Sequence, residues 1–357
     1  MASPRSRGVR ASAPWSSLAD LRHPPLAPGH IDAPHASAAL GELSLESGQV
    51  IRDYRQSYVT HGRLDADGGN AILVCASLTG THHRLDFLIG PGRALDPARW
   101  FIVATDPIGN GLSTSPSNSD IQPRMRFPRF TIRDMVSAQH RLLAEDLGIE
   151  RVHAVVGASM GGMQALQWAA SHPRFMHSVV AMTPMARTSP WAALVTQTAR
   201  ACLMADPAWS DDGFDAVPER GWRAYAGLMN ALMTRTPAAI GRLLPDASSA
   251  ASWFDDVVAN VRANDFDAHD YLYQSWTYDA HDVGAGLGAI LARTLILAPP
   301  LDLFNPAECA REAAEGIPGA RFVEIPSIQG HQAATSMASE DAAFLNRTIT
   351  KFLEETA

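Results

Sequence analysis

A serine flanked by glycines is the part of this sequence best suited to chemistry. Residues 157–161 read Gly-Ala-Ser-Met-Gly, with an apolar run before them and a helical pattern after them. Glycines two positions before and after Ser159 allow the tight strand-to-helix turn that exposes a nucleophilic serine. The helix that follows points its free N–H groups and positive dipole end at Ser159. Ser159 is therefore a predicted nucleophile, although Gly-x-Ser-x-Gly alone is a weak signal.

A serine hydroxyl needs a base to take its proton and a carboxylate to orient that base. Asp302 and His331 stand downstream in the order Ser, Asp, His, each in the loop after an apolar run. Taken singly, Asp302 is equally well explained as a helix cap and His331 as a surface histidine. Their order and their shared position after strands favour a catalytic triad of Ser159, Asp302 and His331.

Acyl transfer also needs two N–H donors for an oxyanion. Met160, the residue after the predicted nucleophile, supplies one, and Leu78 in the loop 77–80 is the predicted second donor. His82 and His83 lie next to that loop, and a histidine pair is compatible with a metal. No third ligand stands at a suitable spacing, so we predict neither a metal site nor a bound cofactor.

The apolar runs before these loops are predicted strands of one sheet. They alternate with helical patterns, and continuous apolar runs are typical of strands covered on both faces. We therefore predict an α/β fold with a mostly parallel sheet, whose carboxyl edge brings the functional loops together. A hairpin over 41–60 adds antiparallel strands, and a capping box at 131–134 begins a helix. The runs lie at 70–76, 100–105, 153–156, 178–183, 294–298 and 321–325.

The pattern changes between residues 185 and 288. Helical windows rich in Trp, Met and Tyr replace the strands there, notably at 191–203 and 222–233. We interpret this segment as a helical cap inserted into the sheet domain. The predicted organisation is a mobile N-terminal arm at 1–40, a first core part at 41–184, the cap at 185–288 and a second core part at 289–357.

Composition excludes several classes of protein. The 357 residues are 46% hydrophobic, enough for one domain with an insertion. A net charge of -8 argues against a nucleic-acid partner, and no apolar run is long enough to predict a membrane span. The 3 cysteines have no metal-like spacing and indicate reduced thiols, as expected of a cytoplasmic protein.

Three segments, at 127–128, 131–139 and 157–166, resemble the homoserine O-acetyltransferase family of α/β-hydrolase-fold enzymes. The similarity extends from about residue 43 to the C-terminus, including the loops of Asp302 and His331. It implies the α/β-hydrolase fold with a helical cap, the same triad, and Leu78 and Met160 as oxyanion donors. It also implies a homodimer formed through the cap, and ping-pong transfer of an acetyl group from coenzyme A to Ser159 and then to an alcohol.

Two positions depart from that family. Its members have Asp directly after the catalytic His, where it meets the amino group of homoserine, whereas this chain has Gln332. They also carry a cap Arg for the substrate carboxylate, and that position falls here on Ala199, beside Arg200. Neighbouring helical residues point about 100° apart, so Arg200 is not an obvious substitute. Gln332, Arg200 and Tyr278 are the candidate substrate contacts, and homoserine is a disfavoured substrate.

The favoured hypothesis is an esterase that hydrolyses a small acyl ester through an acyl-serine. The alternative is an O-acyltransferase that uses acyl-CoA as co-substrate and a small alcohol other than homoserine as acceptor. A third hypothesis is a non-catalytic relative that keeps the serine turn as a relic. Either enzyme would act on small molecules only.

Overall fold

A computed structural model describes residues 26–335 and 338–356. Its centre is an eight-stranded sheet, and a two-stranded ribbon lies apart from it. In chain order the strands are β1 (His35–Ser44), β2 (Val50–His61), β3 (Ala71–Cys75), β4 (Phe101–Thr105), β5 (Val152–Ala158), β6 (Met176–Met182), β7 (Trp209–Ser210), β8 (Gly213–Phe214), β9 (Arg293–Ala298) and β10 (Arg321–Glu324).

The large sheet is mostly parallel, with strand order β1-β2-β4-β3-β5-β6-β9-β10. Only the β1–β2 and β2–β4 pairs are antiparallel. Successive residues of a strand point to opposite faces. Accordingly Leu73 and Val155 join the hydrophobic core on one face, and Ile72 and Val156 join the core on the other. Both faces of the central strands are therefore buried, as their continuous apolar runs predicted.

Helices cover both faces. In chain order they are α1 (Ile132–Arg141), α2 (Met160–Ser171), α3 (Pro190–Met204), α4 (Glu219–Ala226), α5 (Pro237–Leu243), α6 (Ala250–Ala263), α7 (Ala268–Asp279), α8 (Ala307–Gly316) and α9 (Ser339–Glu354). Helices α1, α2 and α8 contribute to the core on one face of the sheet, and α9 contributes to the core on the other. The predicted capping box is present, because Thr131 and Asp134 each accept a hydrogen bond from the other's backbone N–H.

Between β6 and β9 the chain forms helices α3 to α7 and the small β7–β8 ribbon. Helix α7 packs on the rest of the molecule through fully buried aromatic residues such as Tyr271 and Tyr278. Within the described residues, no helix is long and apolar enough to cross a membrane.

The predicted mobile arm at 1–40 is wrong for its last part. Residues 1–25 lie outside the described residues, but β1 begins at His35 and pairs with β2 from His35↔Val59 onward. Ser37 and Ala38 are buried in that strand. Small side chains at 36–39 hid the alternation by which a half-buried strand is recognised, so the sequence indicated a hairpin that starts only at residue 41.

Candidate active site

Ser159 lies in the sharp turn between β5 and α2. Its φ is +57°, a conformation that side chains other than glycine rarely adopt, and its N–H donates to the Met182 carbonyl at 2.8 Å. The turn depends on its glycines. A Cβ on Gly157 would lie 2.1 Å from the Gly161 carbonyl oxygen, and a Cβ on Gly161 would lie 2.3 Å from the Cys75 carbonyl oxygen. The strained serine is therefore held by backbone contacts that only glycine permits.

The structure brings Ser159, His331 and Asp302 together. His331 Nε2 lies 2.9 Å from Ser159 Oγ, and His331 Nδ1 lies 2.7 Å from Asp302 Oδ2. With Nδ1–H donating to the carboxylate, Nε2 is the nitrogen that accepts from the serine hydroxyl. All three residues are buried, with 3% of Ser159, 5% of Asp302 and 6% of His331 exposed. The arrangement is that of a nucleophile, a base and an orienting acid.

Backbone groups hold Asp302 in place. Its Oδ1 accepts from the N–H groups of Phe304 at 2.9 Å and Asn305 at 2.8 Å, which leaves Oδ2 for His331. The Phe304 ring meets the His331 ring edge to face, at 5.2 Å between centroids. Asp302 thus caps the turn before α8, as the alternative explanation proposed, and also faces the histidine. Sequence reasoning missed Phe304 and Asn305.

The amides of Leu78 and Met160 border the serine turn from two sides, after β3 and at the start of α2. Neither amide donates a hydrogen bond to another described residue. Ser77 Oγ donates to the Ala158 carbonyl at 2.8 Å and so fastens the Leu78 loop to the strand that carries the serine. Two N–H groups without a protein partner beside a serine nucleophile are what an oxyanion hole requires, so Leu78 and Met160 stay the predicted oxyanion donors.

Three glutamines that were not predicted to have a role fix this loop, two of them by direct hydrogen bonds and the third through its bond to Gln164. Gln164 of α2 donates to the Ala76 carbonyl at 2.9 Å and accepts from Gln139 of α1 at 2.7 Å. From the cap, Gln274 accepts from the Thr79 N–H at 2.9 Å. Gln139 and Gln164 lie in the segments that resemble the family, and both are polar residues among buried apolar ones, which are the two signals that the sequence offered for them. Buried amides of this kind rigidify a site when their partners are present.

Arg200, predicted as a substrate contact, is committed to the protein instead. Its side chain is 4% exposed and donates to Asp279 Oδ2 at 2.6 Å, to Gln197 Oε1 at 2.8 Å and to Ser275 Oγ at 3.1 Å. The guanidinium therefore joins α3 to α7. The prediction for Arg200 is wrong because a buried arginine needs a carboxylate, and Asp279 supplies one within the cap.

Gln332 and Tyr278 also bond within the protein. Gln332 Nε2 donates to Thr234 Oγ1 at 3.0 Å, and Tyr278 donates its hydroxyl proton to Asn305 Oδ1. Tyr278 is fully buried and stacks on Phe304 at 5.4 Å. Both side chains thus hold neighbouring loops together. Tyr278 has no exposed surface to offer a substrate, which corrects that prediction, whereas the partly exposed Gln332 stays a predicted substrate contact.

The structure places two further potential metal ligands beside His82 that the spacing along the chain does not show. His82 Nδ1 lies 2.9 Å and His35 Nε2 lies 3.4 Å from Asp106 Oδ2, so ligand atoms of three residues cluster within 4.8 Å. His35 and Asp106 come from distant segments, which spacing along the chain does not show. Ser57 donates to the same carboxylate oxygen at 2.5 Å, and the His82 N–H donates to Oδ1 at 2.8 Å. These hydrogen bonds satisfy Asp106 and tie the segment after the Leu78 loop to β4.

Comparisons with known proteins agree with this geometry. A family model described as the α/β hydrolase fold matches residues 70–328. A probable esterase of Corynebacterium glutamicum is 31% identical over 91% of this chain and 97% of its own length. A homoserine O-acetyltransferase of Caulobacter vibrioides is 35% identical over 82% of this chain and 87% of its own length.

Among solved structures, that of the acetyl esterase MekB superposes with a TM-score of 0.85 at 30% identity. The match covers 90% of this chain and 97% of that one. The α/β-hydrolase fold carries its serine nucleophile at a strand-to-helix turn, and Ser159 lies at such a turn under a helical cap. The chain therefore belongs to the homoserine O-acetyltransferase-like family of α/β-hydrolase-fold enzymes, which includes proteins named as esterases and as O-acetyltransferases.

Proposed function

We propose that this protein is an esterase that hydrolyses a small acyl ester through an acyl-serine intermediate. The observation that carries the proposal is the buried chain of contacts from Asp302 through His331 to Ser159, at 2.7 Å and 2.9 Å. A serine in this setting is far more nucleophilic than a free hydroxyl, because the imidazole removes its proton as the bond to carbon forms.

The reaction follows from the roles of these atoms. Ser159 Oγ attacks the ester carbonyl while His331 Nε2 takes the hydroxyl proton, and Asp302 stabilises the resulting imidazolium. The N–H groups of Leu78 and Met160 bind the oxyanion of the tetrahedral intermediate. Collapse of the intermediate expels the alcohol, which takes the proton from His331. Water then attacks the acyl-serine by the same route in reverse, which releases the acid and restores Ser159.

The polar side chains around the site favour hydrolysis over transfer to an amino acid, because they are already bonded to other groups of the protein. Gln332 and Arg200 are bonded to Thr234 and Asp279, so neither offers a charge to a zwitterionic acceptor. Charge-assisted hydrogen bonds are worth roughly 1.5–3 kcal/mol each, and an acceptor such as homoserine would lose both. The relatives named as esterases are similar over nearly their whole length, which supports the same conclusion.

The test uses purified full-length protein with p-nitrophenyl acetate. We expect steady release of p-nitrophenol in water, and loss of at least about 10⁴-fold of that activity in Ser159→Ala. The control is Ser137→Ala, which removes a hydroxyl from the outer part of α1 and should leave activity intact. Circular dichroism checks that both variants fold. Unchanged activity in Ser159→Ala would contradict the proposal and favour the non-catalytic relative.

The second candidate is an O-acyltransferase with acyl-CoA as co-substrate, which the similarity to homoserine O-acetyltransferases supports. Mass spectrometry of the peptide that carries Ser159, after incubation with acetyl-CoA, distinguishes the two. An esterase should hydrolyse its acyl-serine without an alcohol. An acyl-serine that persists in water and turns over only when a small alcohol is added would replace the esterase assignment with the transferase.

We also propose that the protein acts in the cytoplasm, as a homodimer formed through the cap. The free cysteines Cys75, Cys202 and Cys309 support a reducing compartment. Trp191 and Leu194 of α3 are 49% and 64% exposed, and such apolar cap residues support a contact with a second copy. Light scattering on the wild type and on Leu194→Glu tests the dimer. A monomeric wild type would contradict it.

A further inference from the structure

Arg84 lies beside loop 77–80, which carries the predicted oxyanion donor Leu78 and is called the oxyanion loop below, and its charge has no partner in the described part of the chain. Its Nε atom is buried and has no hydrogen-bond partner, and among the described residues the guanidinium forms no ion pair. It packs against the loop itself, since a Cβ on Gly80 would lie 3.2 Å from Arg84 Nε. The residue as a whole is half-buried. A partly desolvated arginine without a carboxylate is costly, because its charge has lost some of its water and gained no ion pair in exchange.

The pocket beside Arg84 runs between the core and the cap. It has a volume of about 390 Å³ and is lined by Thr79 and Gly80 of the oxyanion loop, by Asn230 of the cap and by Thr335, four residues after His331. Asn230 Oδ1 is a second buried polar atom without a partner. A 180° rotation of the side-chain amide exchanges Oδ1 and Nδ2, so Asn230 is able to present N–H donors to the same pocket.

No neighbouring group neutralises Arg84. Burial lowers the pKa of Arg84, and the neighbouring Tyr225 acts in the opposite direction. Burial also raises the pKa of Tyr225, so its phenol stays neutral at physiological pH and supplies no negative charge.

The aspartates that line the pocket have other partners. Asp86 accepts from His83 at 2.8 Å, Asp267 from His269 at 3.0 Å and Asp270 from Ser117 at 2.5 Å. The fourth lining aspartate is Asp265, and none of the four is within ion-pair distance of Arg84. Arg84 is the one arginine or lysine among the residues that line this pocket, and it has no carboxylate partner among the described residues, so it is the group that an anionic ligand is able to pair with.

We propose that Arg84, assisted by Asn230, binds an oxyanion of the substrate, a carboxylate or a phosphate, while the reacting ester lies at Ser159. The proposal deepens the esterase assignment and rests on it for the identity of the reaction. In this proposal Arg84, which follows β3 in the core, binds the negative charge of the substrate. Arg200 of the cap does not, because it is paired with Asp279.

Matched substrate pairs test the proposal. For a carboxylate, mono-p-nitrophenyl glutarate is compared with p-nitrophenyl pentanoate. For a phosphate, acetyl-CoA is compared with S-acetylpantetheine. For each pair the ratio of kcat/KM, anionic over neutral, is measured in the wild type, in Arg84→Gln, in Arg84→Lys and in the control Arg63→Gln. Arg63 is an exposed arginine after β2, at the opposite edge of the sheet.

We expect the wild type to prefer the anionic member of one pair, and the pair that shows this identifies the source of the oxyanion. Arg84→Gln should reduce that ratio roughly 10- to 100-fold, the effect of losing a charge-assisted hydrogen bond. Arg84→Lys should restore part of it, and Arg63→Gln should keep the wild-type ratio. A ratio that changes by less than twofold in Arg84→Gln for both pairs would overturn the proposal.

A binding measurement separates this proposal from the esterase assignment. Calorimetric titration with glutarate and with inorganic phosphate needs no turnover, so it applies even where no ester is hydrolysed. Binding of either anion that is lost in Arg84→Gln and kept in Arg63→Gln supports the oxyanion site. Equal binding in all the variants, or no binding to the wild type, would overturn it. If Arg84→Gln does not fold, Arg84→Lys with reduced binding serves the same purpose.

Discussion

Gln332, the residue directly after His331, donates a hydrogen bond from Nε2 to Thr234 Oγ1 across 3.0 Å. Its backbone N–H donates to the Thr234 carbonyl at 3.2 Å, and its Oε1 accepts from Thr335 at 3.0 Å. Gln332, in the loop of His331, thus makes two hydrogen bonds to Thr234 of the cap. The resemblance to homoserine O-acetyltransferases implies a substrate contact for the Asp at the corresponding position, whereas here the side chain joins the loop of His331 to the cap.

Replacement of Gln332 by Ala should loosen His331 rather than weaken substrate binding. We expect kcat for p-nitrophenyl acetate to fall about 3- to 10-fold, with a smaller change in KM. A net hydrogen bond is worth about 0.5–1.5 kcal/mol, and the misplaced base affects the transition state most. Steady-state kinetics measure both constants.

A double-mutant cycle with Thr234→Val checks whether this effect passes through the bond between the two side chains. The effects of the two single changes should not add, since each removes the same hydrogen bond. Additive effects, or a raised KM with an unchanged kcat, would instead return Gln332 to the role of a substrate contact.

Tyr278→Phe tests the support of Asp302. The phenol donates to Asn305 Oδ1, and Asn305 in turn donates from Nδ2 to the Thr183 carbonyl at 2.8 Å. Removal of the hydroxyl leaves a buried acceptor without a donor, so the free energy of unfolding should fall by about 1–3 kcal/mol. We expect kcat to fall less than tenfold and KM to stay nearly constant.

Urea unfolding and steady-state kinetics make the comparison, with Tyr54→Phe as the control. Tyr54 is a second fully buried tyrosine, whose hydroxyl donates to Gln56 in β2, far from Asp302 along the sheet order. Its loss should lower stability without a specific effect on kcat. A large rise in KM for Tyr278→Phe alone would show that the phenol does contact substrate.

The sequence predicts the framework of this molecule better than its polar contacts. The strands and their loops were predictable because continuous apolar runs and a Gly-x-Ser-x-Gly turn are local patterns, and they bring Ser159 and His331 to one edge of the sheet. The partners of Arg200 and Tyr278 were not predictable. Asp279 and Asn305 are 79 and 27 residues away along the chain, and only the packing of the cap helices on one another and on the core decides which polar groups meet.

Gly157→Ala should prevent the serine turn from forming. The added Cβ would lie 2.1 Å from the Gly161 carbonyl oxygen, which is backbone and has no room to withdraw. We expect destabilisation of more than about 4 kcal/mol, or no folded protein, since overlap with backbone is among the largest effects of a single substitution. Thermal unfolding and yield of soluble protein measure it.

Gly241→Ala is the matched control for that change. Gly241 lies exposed within α5, and a Cβ there meets nothing within 4 Å. Alanine is better than glycine inside a helix by about 1 kcal/mol, so this variant should be as stable as the wild type or more stable. A Gly157→Ala protein that folds and retains activity would show that the turn is less constrained than its contacts indicate.

Acid should destabilise the protein partly through His281, and His281→Gln should reduce that sensitivity. Burial lowers the pKa of His281 to about 4 from its ordinary 6.5, although its hydrogen bond to the Met185 carbonyl acts in the opposite direction. In the unfolded chain this histidine therefore binds a proton below about pH 6.5, whereas in the folded chain it binds one only below about pH 4. Stability is full above pH 6.5 and falls as the pH drops to 4, by at most about 3 kcal/mol for this residue. His153 and His172, with pKa values also lowered to about 4, add to the loss.

In His281→Gln the glutamine keeps an N–H donor but does not titrate. The unfolding free energies of the wild type and of His281→Gln should therefore converge as the pH falls from 7.5 to 4. Parallel curves over that range, measured by urea unfolding, would contradict the assignment.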